Sequence, residues 1–191
     1  MKKILLVALA AAAMVGCSQN EEFDNATTTQ KKAMKFNTAV MNTTRGTVIT
    51  STNFKEFNLY AYQGATEIIG GTKFTGPGTW TAAGAVFYWP GEQDVNFYGY
   101  AGSVTYNSNS AAPTLDYEVK TTIADQEDVL VSKLTAKSTT NDGKVALSFS
   151  HALAKISFKV KGEGTSDVEY KVQSIKVNAF PSGTYTYSTD S

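Results

Sequence analysis

The sequence predicts an all-β sandwich, and three observations carry that prediction. Thr, Ser, Gly and Val are abundant and 10 Tyr and 10 Phe occur among 191 residues, a composition suited to pleated, half-buried surfaces. Beyond the first sixteen residues no long amphipathic helical pattern occurs. Lys144–Lys161 alternates apolar with small or polar residues in two runs of opposite parity, Val145, Leu147, Phe149 and then Ile156, Phe158, Val160. A one-residue slip turns every side chain over, so Ser150–Ala154 has to hold a bulge, a kink or a short helical turn between two core strands. Such a corner passes a chain from one sheet of a sandwich to the other.

Residues 1–16 read as a signal peptide. Lys2-Lys3 is its basic start, and Ile4–Val15 is an apolar run too short for a stable membrane span. It ends in Met14-Val15-Gly16-Cys17, which resembles a bacterial lipobox with Met where Leu is commoner. Cys17 is the sole cysteine, so it has no disulfide or thiolate-metal partner in the chain. The spacing makes Cys17 a lipidation site, with an ordinary secretory leader and an incidental cysteine as the alternative. Residues 17–32 are polar and read as a lipidated flexible tether; Glu21-Glu22-Phe23-Asp24 places three acids just after the lipid site.

Ordered structure is expected over 33–191. Met34, Phe36, Thr38 and Val40 share a face, giving a first strand over 33–40. Residues 41–46 turn, and Phe54–Tyr62 is the next strand, with Phe57, Leu59 and Ala61 on one face. Gly64–Gly84 reads as turns and one weak hairpin. Val86–Gly91 and Val95–Ala101 read as hairpin partners across Pro90-Gly91. Gly102–Pro113 reads as a loop, Leu115–Val119 as a short strand, and Lys133–Gly143 as a polar connection. Val168, Tyr170, Val172 and then Ile175, Val177, Ala179 read as closing strands.

Four stretches carry a resemblance. Phe149-Ser150-His151-Ala152-Leu153-Ala154-Lys155-Ile156 resembles the F-x-H-x-L-A-K signature of fimbrillin-like proteins, the pilins and surface lipoproteins of Bacteroidota. Tyr88-Trp89-Pro90-Gly91 with Val95–Ala101, Gln126–Ser132, and Thr44-Arg45-Gly46-Thr47 are similar to further elements of that family. The resemblance implies a transthyretin-like β-sandwich of about seven strands, the family's N-terminal domain, with the C-terminal domain absent. An acidic run after the lipid site resembles, in lipoproteins of these bacteria, the signal for display outside the outer membrane.

The implied function is that of a structural or accessory subunit of a fimbrium or pilus, with a role in adhesion. Its partners would be other fimbrial subunits joined by strand exchange, the outer membrane through the lipid, and a host or microbial surface. Arg45-Gly46 corresponds to the bond an arginine-specific protease cuts in pilins. Met34, Phe36 and Val40 then mark the strand that would be exchanged. Losing that strand would leave a sheet edge and an apolar trough needing a replacement.

Other chemistry finds little support. The 17 Lys and Arg balance 17 Asp and Glu, and removing Lys2 and Lys3 leaves 15 against 17, which argues against a nucleic-acid binder. His151 is the only histidine and reads as a corner residue hydrogen-bonded to backbone, without the neighbours of a nucleophile site. Asp125, Glu127 and Asp128 do not match a calcium loop, so no metal or cofactor is expected. No phosphate-loop, nucleophile-elbow or zinc-protease motif occurs, and the chain is read as non-catalytic. The alternative reading is a carbohydrate-binding surface lipoprotein, with Trp80, Trp89, Tyr98 and Tyr100 as a stacking platform.

Overall fold

Alternation sets the strands of this chain, and the computed structural model describes it over residues 31–41, 49–162 and 171–187. Within them the strands, in order, are β1 (Lys35–Val40), β2 (Glu56–Gln63), β3 (Thr66–Thr75), β4 (Thr81–Ala82) and β5 (Val95–Ala101). There follow β6 (Thr105–Asn107), β7 (Thr114–Glu118), β8 (Leu130–Ala136), β9 (Lys144–His151) and β10 (Ser182–Thr186). The helical content is two 3-10 turns, Ile123–Asp125 and Thr140–Gly143. The fold is all-β, as predicted, with more and shorter strands than the expected seven.

The larger sheet runs β1-β9-β8-β5-β2-β3-β4 and the smaller β10-β7-β6. β9 is the joint. Its register with β1 is parallel from Lys35↔Lys144 to Val40↔Phe149, whereas it meets β8 only at Leu130↔His151 and Val131↔Ser150. The sheet therefore curls, and β1 and β9 fold across the face of β8-β5-β2-β3. Phe57, Leu59 and Ala61 on β2, Val95 and Phe97 on β5, and Val145, Leu147 and Phe149 on β9 meet in the first core. The Phe149 ring packs 4.9 Å from Phe54 and 5.2 Å from Phe57. On the sheet's other face the small sheet closes a second core, built on Tyr62, Tyr98, Leu115, Val129, Val131 and Tyr187.

Several expectations change. Residues 64–84 are not mainly turns: β3 is ten residues long and pairs with β2 from Glu56↔Thr75 to Gln63↔Thr66. Its glycines, Gly70 and Gly71, sit inside the strand where the β2 register shifts, so composition alone masked the ladder. Val86–Gly91 does not pair with Val95–Ala101. Both edges of β5 are occupied, by β2 and β8, and the 85–89 segment instead makes isolated bridges, Ala33↔Tyr88 and Ala82↔Ala85. β6 falls inside the predicted loop, and β8 extends to Ala136 within the predicted polar connection.

The largest correction lies after the corner. β9 stops at His151, and Ile156, Phe158 and Val160 are exposed and outside any strand. Among the described residues no strand lies opposite them: Ala152 N–H donates to the Val129 carbonyl, just outside the end of β8. Val168 and Tyr170 lie outside the described residues. Val172, Ile175 and Val177 are exposed and form no strand, and the closing strand comes later, as β10 against β7.

Candidate functional site

The element singled out for exchange, β1, occupies a slot with two walls. Phe36 and Val40 on the strand, and Met34 just before it, are buried in the first core, and the Phe36 ring lies 4.6 Å from Phe74. The alternation that made these three share a face in the sequence is what directs them inward. One wall is the parallel ladder with β9, extended by Met41 N–H to the Phe149 carbonyl at 2.8 Å. The other wall covers only the start of the segment: Met34 N–H donates to the Phe87 carbonyl, and Trp89 N–H to that of Lys32.

A polar knot holds this entry. Lys32 Nζ donates to the Ser138 carbonyl at 3.1 Å and to Asp142 Oδ1 at 3.0 Å, and Trp89 Nε1 donates to the Gly143 carbonyl at 3.0 Å. Gly143 sits at φ +73, a backbone conformation that calls for glycine, and a Cβ there would stand 2.6 Å from Lys32 Cε, so the end of the lysine side chain would have to shift. The Lys32 ammonium holds the Asp142 carboxyl below the usual carboxylate range, through its hydrogen bond first and its charge second. Beyond Met34 the outer side of β1 borders a cleft of about 400 Å³, lined by Asn37, Thr38, Val40, Phe54, Pro77 and Trp80.

The remaining predicted residues are distributed as follows. Cys17, Arg45 and Gly46 lie outside the described residues. Trp80 is 7% exposed and packs 5.2 Å from Phe54 and 4.9 Å edge-on to Phe57, so it belongs to the first core and not to an exposed sugar platform. Trp89 and Tyr98 are buried as well; Trp89 lies edge-on to Phe97, and Tyr98 Oη donates to the carbonyls of Ser110 and Ala111. Only Tyr100 of the four stays half-exposed, stacked 5.8 Å from Tyr106, which in turn stacks 3.7 Å from Tyr60.

His151 differs in detail from its expectation. It sits at the corner, but its Nδ1 pairs with Asp128 Oδ2 at 2.6 Å instead of with backbone, both side chains being about nine-tenths buried. Glu127 Oε2 accepts from Ser103 N–H and Oγ, so two of the three acids of that cluster are engaged within the protein. Among the described residues no group of three His, Cys, Asp or Glu side chains could hold a metal ion. Nor is any helix there long and apolar enough to cross a membrane. The Lys32–Trp89–Gly143 knot was missed from sequence. The family-like Trp89-Pro90 pair was its one visible sign, because the other partners are more than fifty residues distant along the chain.

Two stacked aromatic cores and a first strand lodged parallel in its own slot define an all-β sandwich protein. The chain belongs to the fimbrillin-like family, whose model matches residues 44–191. It is similar to the fimbrium subunit Fim1C of Phocaeicola vulgatus, at 28% identity over 223 residues, covering 97% of this chain and 58% of the relative. The chain thus spans less than two thirds of that relative's length. No solved structure matches it.

Proposed function

We propose that the protein is a non-catalytic subunit of a fimbrium, displayed at the cell surface and anchored in the outer membrane by a lipid on Cys17. Its first strand is the exchanged element. Membership of the fimbrillin-like family, with a fimbrium subunit as a relative, is the observation that carries this reading. The lodging of β1 supports the mechanism. Burying a large apolar side chain is worth ~1.5–3 kcal/mol, so removing Met34, Phe36 and Val40 opens a trough that a strand of like alternation would refill. Cleavage at Arg45-Gly46 severs β1 from β2 in the chain, leaving the ladder with β9 and the Lys32 knot to hold it. A role in adhesion to a host or microbial surface goes with the subunit reading, and two or three acyl chains at ~0.8 kcal/mol per methylene make a stable anchor.

The test is made on the protein isolated from producing cells. Mass spectrometry should find acyl groups on Cys17. Treatment with an arginine-specific protease should create a new N-terminus at Gly46 and give SDS-resistant ladders that Arg45→Ala abolishes. A Cys17 without lipid removes the anchor, and ladders that persist in Arg45→Ala remove the exchange mechanism.

A further inference from the structure

The small sheet has a polar outer face, and alternation decides what that face presents. β7 is the middle strand, with β6 along one edge and β10 along the other. Leu115 turns inward and is buried in the second core, so Asp116 and Glu118 turn outward, and both are exposed. The register sets Thr105 and Thr184 on either side of Asp116, and Ser182 beside Glu118. Thr184 Oγ1 donates to Asp116 Oδ1 at 2.6 Å, and Asn107 Nδ2 donates to Asp116 Oδ2 at 2.7 Å. These two bonds, the threonine's first, hold the Asp116 carboxyl below the usual carboxylate range, so it stays charged in mildly acid solution. Each of its oxygens keeps a further lone pair for a ligand, on a carboxylate already fixed in orientation.

An open cleft of about 700 Å³ lies over this face, lined by Thr105, Asp116, Glu118, Ser182 and Thr184, with Lys120 beside them. That volume falls within the range of small-ligand sites. Two carboxylates against one ammonium leave the cleft negative, and hydroxyls flank both acids. We propose that it binds an oligosaccharide of amino sugars, with a sugar ammonium between Asp116 and Glu118 and sugar hydroxyls along the threonines and Ser182. The charges are complementary, and a charged donor on a carboxylate makes the stronger class of hydrogen bond. A carboxylate held by its neighbours also loses little freedom when the ligand arrives. Hydroxyl partners suit a sugar better than a basic peptide, which would use the charges and leave the hydroxyls idle. Both edges of β7 are taken, so recognition here is by side chains and adds no strand. The site gives the adhesion part of the subunit reading a ligand class and rests on that part alone; the lipid on Cys17 and the SDS-resistant ladders stand or fall separately.

The test is isothermal titration calorimetry on the full chain carrying Cys17→Ser, in mildly acid buffer, with three probes. They are the linear trimer of glucosamine, its N-acetylated counterpart, and trilysine acetylated at its N-terminus, which matches the first probe in ammonium groups. The expected result is saturable binding of the glucosamine trimer, with a dissociation constant raised about tenfold or more in Asp116→Asn and in Glu118→Gln. The N-acetylated trimer should bind about tenfold more weakly or worse, and trilysine more weakly than the glucosamine trimer. Because Glu118 is exposed, thermal unfolding of Glu118→Gln should match that of the parent chain, which separates lost binding from lost folding. A glucosamine trimer that does not bind overturns the proposal, as does binding indifferent to both substitutions. An N-acetylated trimer that binds as tightly removes the charge argument and overturns it too. Trilysine binding as tightly as the sugar overturns it in favour of a basic peptide.

Discussion

Individual side chains in this protein have unequal stakes, and Tyr187 shows why. Its hydroxyl is buried and donates to the Gly99 carbonyl at 2.7 Å, and desolvation pushes its pKa far above the usual tyrosine range. The folded state therefore keeps a proton that the unfolded chain releases from pH ~10 upward. Stability should be unaffected below that pH and fall as pH rises beyond it. Tyr187→Phe should lower stability near neutrality by about 1 kcal/mol for the lost hydrogen bond, yet show a shallower alkaline decline, readable in denaturant midpoints across pH. Phe149 carries packing instead. It is fully buried against Phe54, Phe57 and Gly99, and Phe149→Ala should cost about 3–5 kcal/mol in urea unfolding. For His151 and Asp128, a double-mutant cycle with His151→Asn and Asp128→Asn should return a coupling above about 0.5 kcal/mol. A cycle that closes to zero would mean the pair does not hold the corner.

At the level of elements, β1 and β9 behave as a unit distinct from the hairpins around them. β2, β3, β5 and β8 pair antiparallel with close neighbours, whereas β1 pairs in parallel with a strand more than a hundred residues away. Its retention rests on that ladder, on three buried side chains and on the knot at Lys32. Trp89→Phe keeps an aromatic ring in the core but leaves the Gly143 carbonyl without its donor, a loss of about 1–3 kcal/mol for a buried polar group. Amide exchange at Met34 should then quicken more than exchange within β2 and β5. Equal acceleration everywhere would show that the knot stabilises the whole fold and not β1 in particular. Parallel pairing also explains why neighbouring sequence named the strand but not its partner. The pattern of Met34, Phe36 and Val40 tells which face is apolar and says nothing of β9.

Across the whole molecule, the two cores share one sheet, with Leu59 and Phe97 on one side of it and Tyr62 and Tyr98 on the other. Damage to the second core should therefore propagate to the first. Leu115→Ala should cost about 2–5 kcal/mol. Tryptophan fluorescence, which reports Trp80 and Trp89 in the first core, should share a midpoint with far-UV circular dichroism. Much of this body was legible beforehand. The inward faces of β1, β2 and β9 follow from period-two alternation, which any strand with one buried face obeys. Family membership was legible in short motifs, whereas the change of parity after Phe149 suggested a corner between two core strands of which only β9 is a strand among the described residues. What the sequence could not say was which strand lies beside which. Alternation records that a face is buried, whereas pairing depends on which edges are already taken. β5, filled by β2 and β8, turned Phe87–Trp89 toward β1, and beyond the end of β8 Ile156, Phe158 and Val160 are exposed, with no strand beside them among the described residues. The sequence by itself determined the β character and the inward faces of β1, β2 and β9. Tertiary structure alone decided the ladders and the burial of Trp80, because an aromatic in a glycine-rich stretch is covered or bare according to what folds over it.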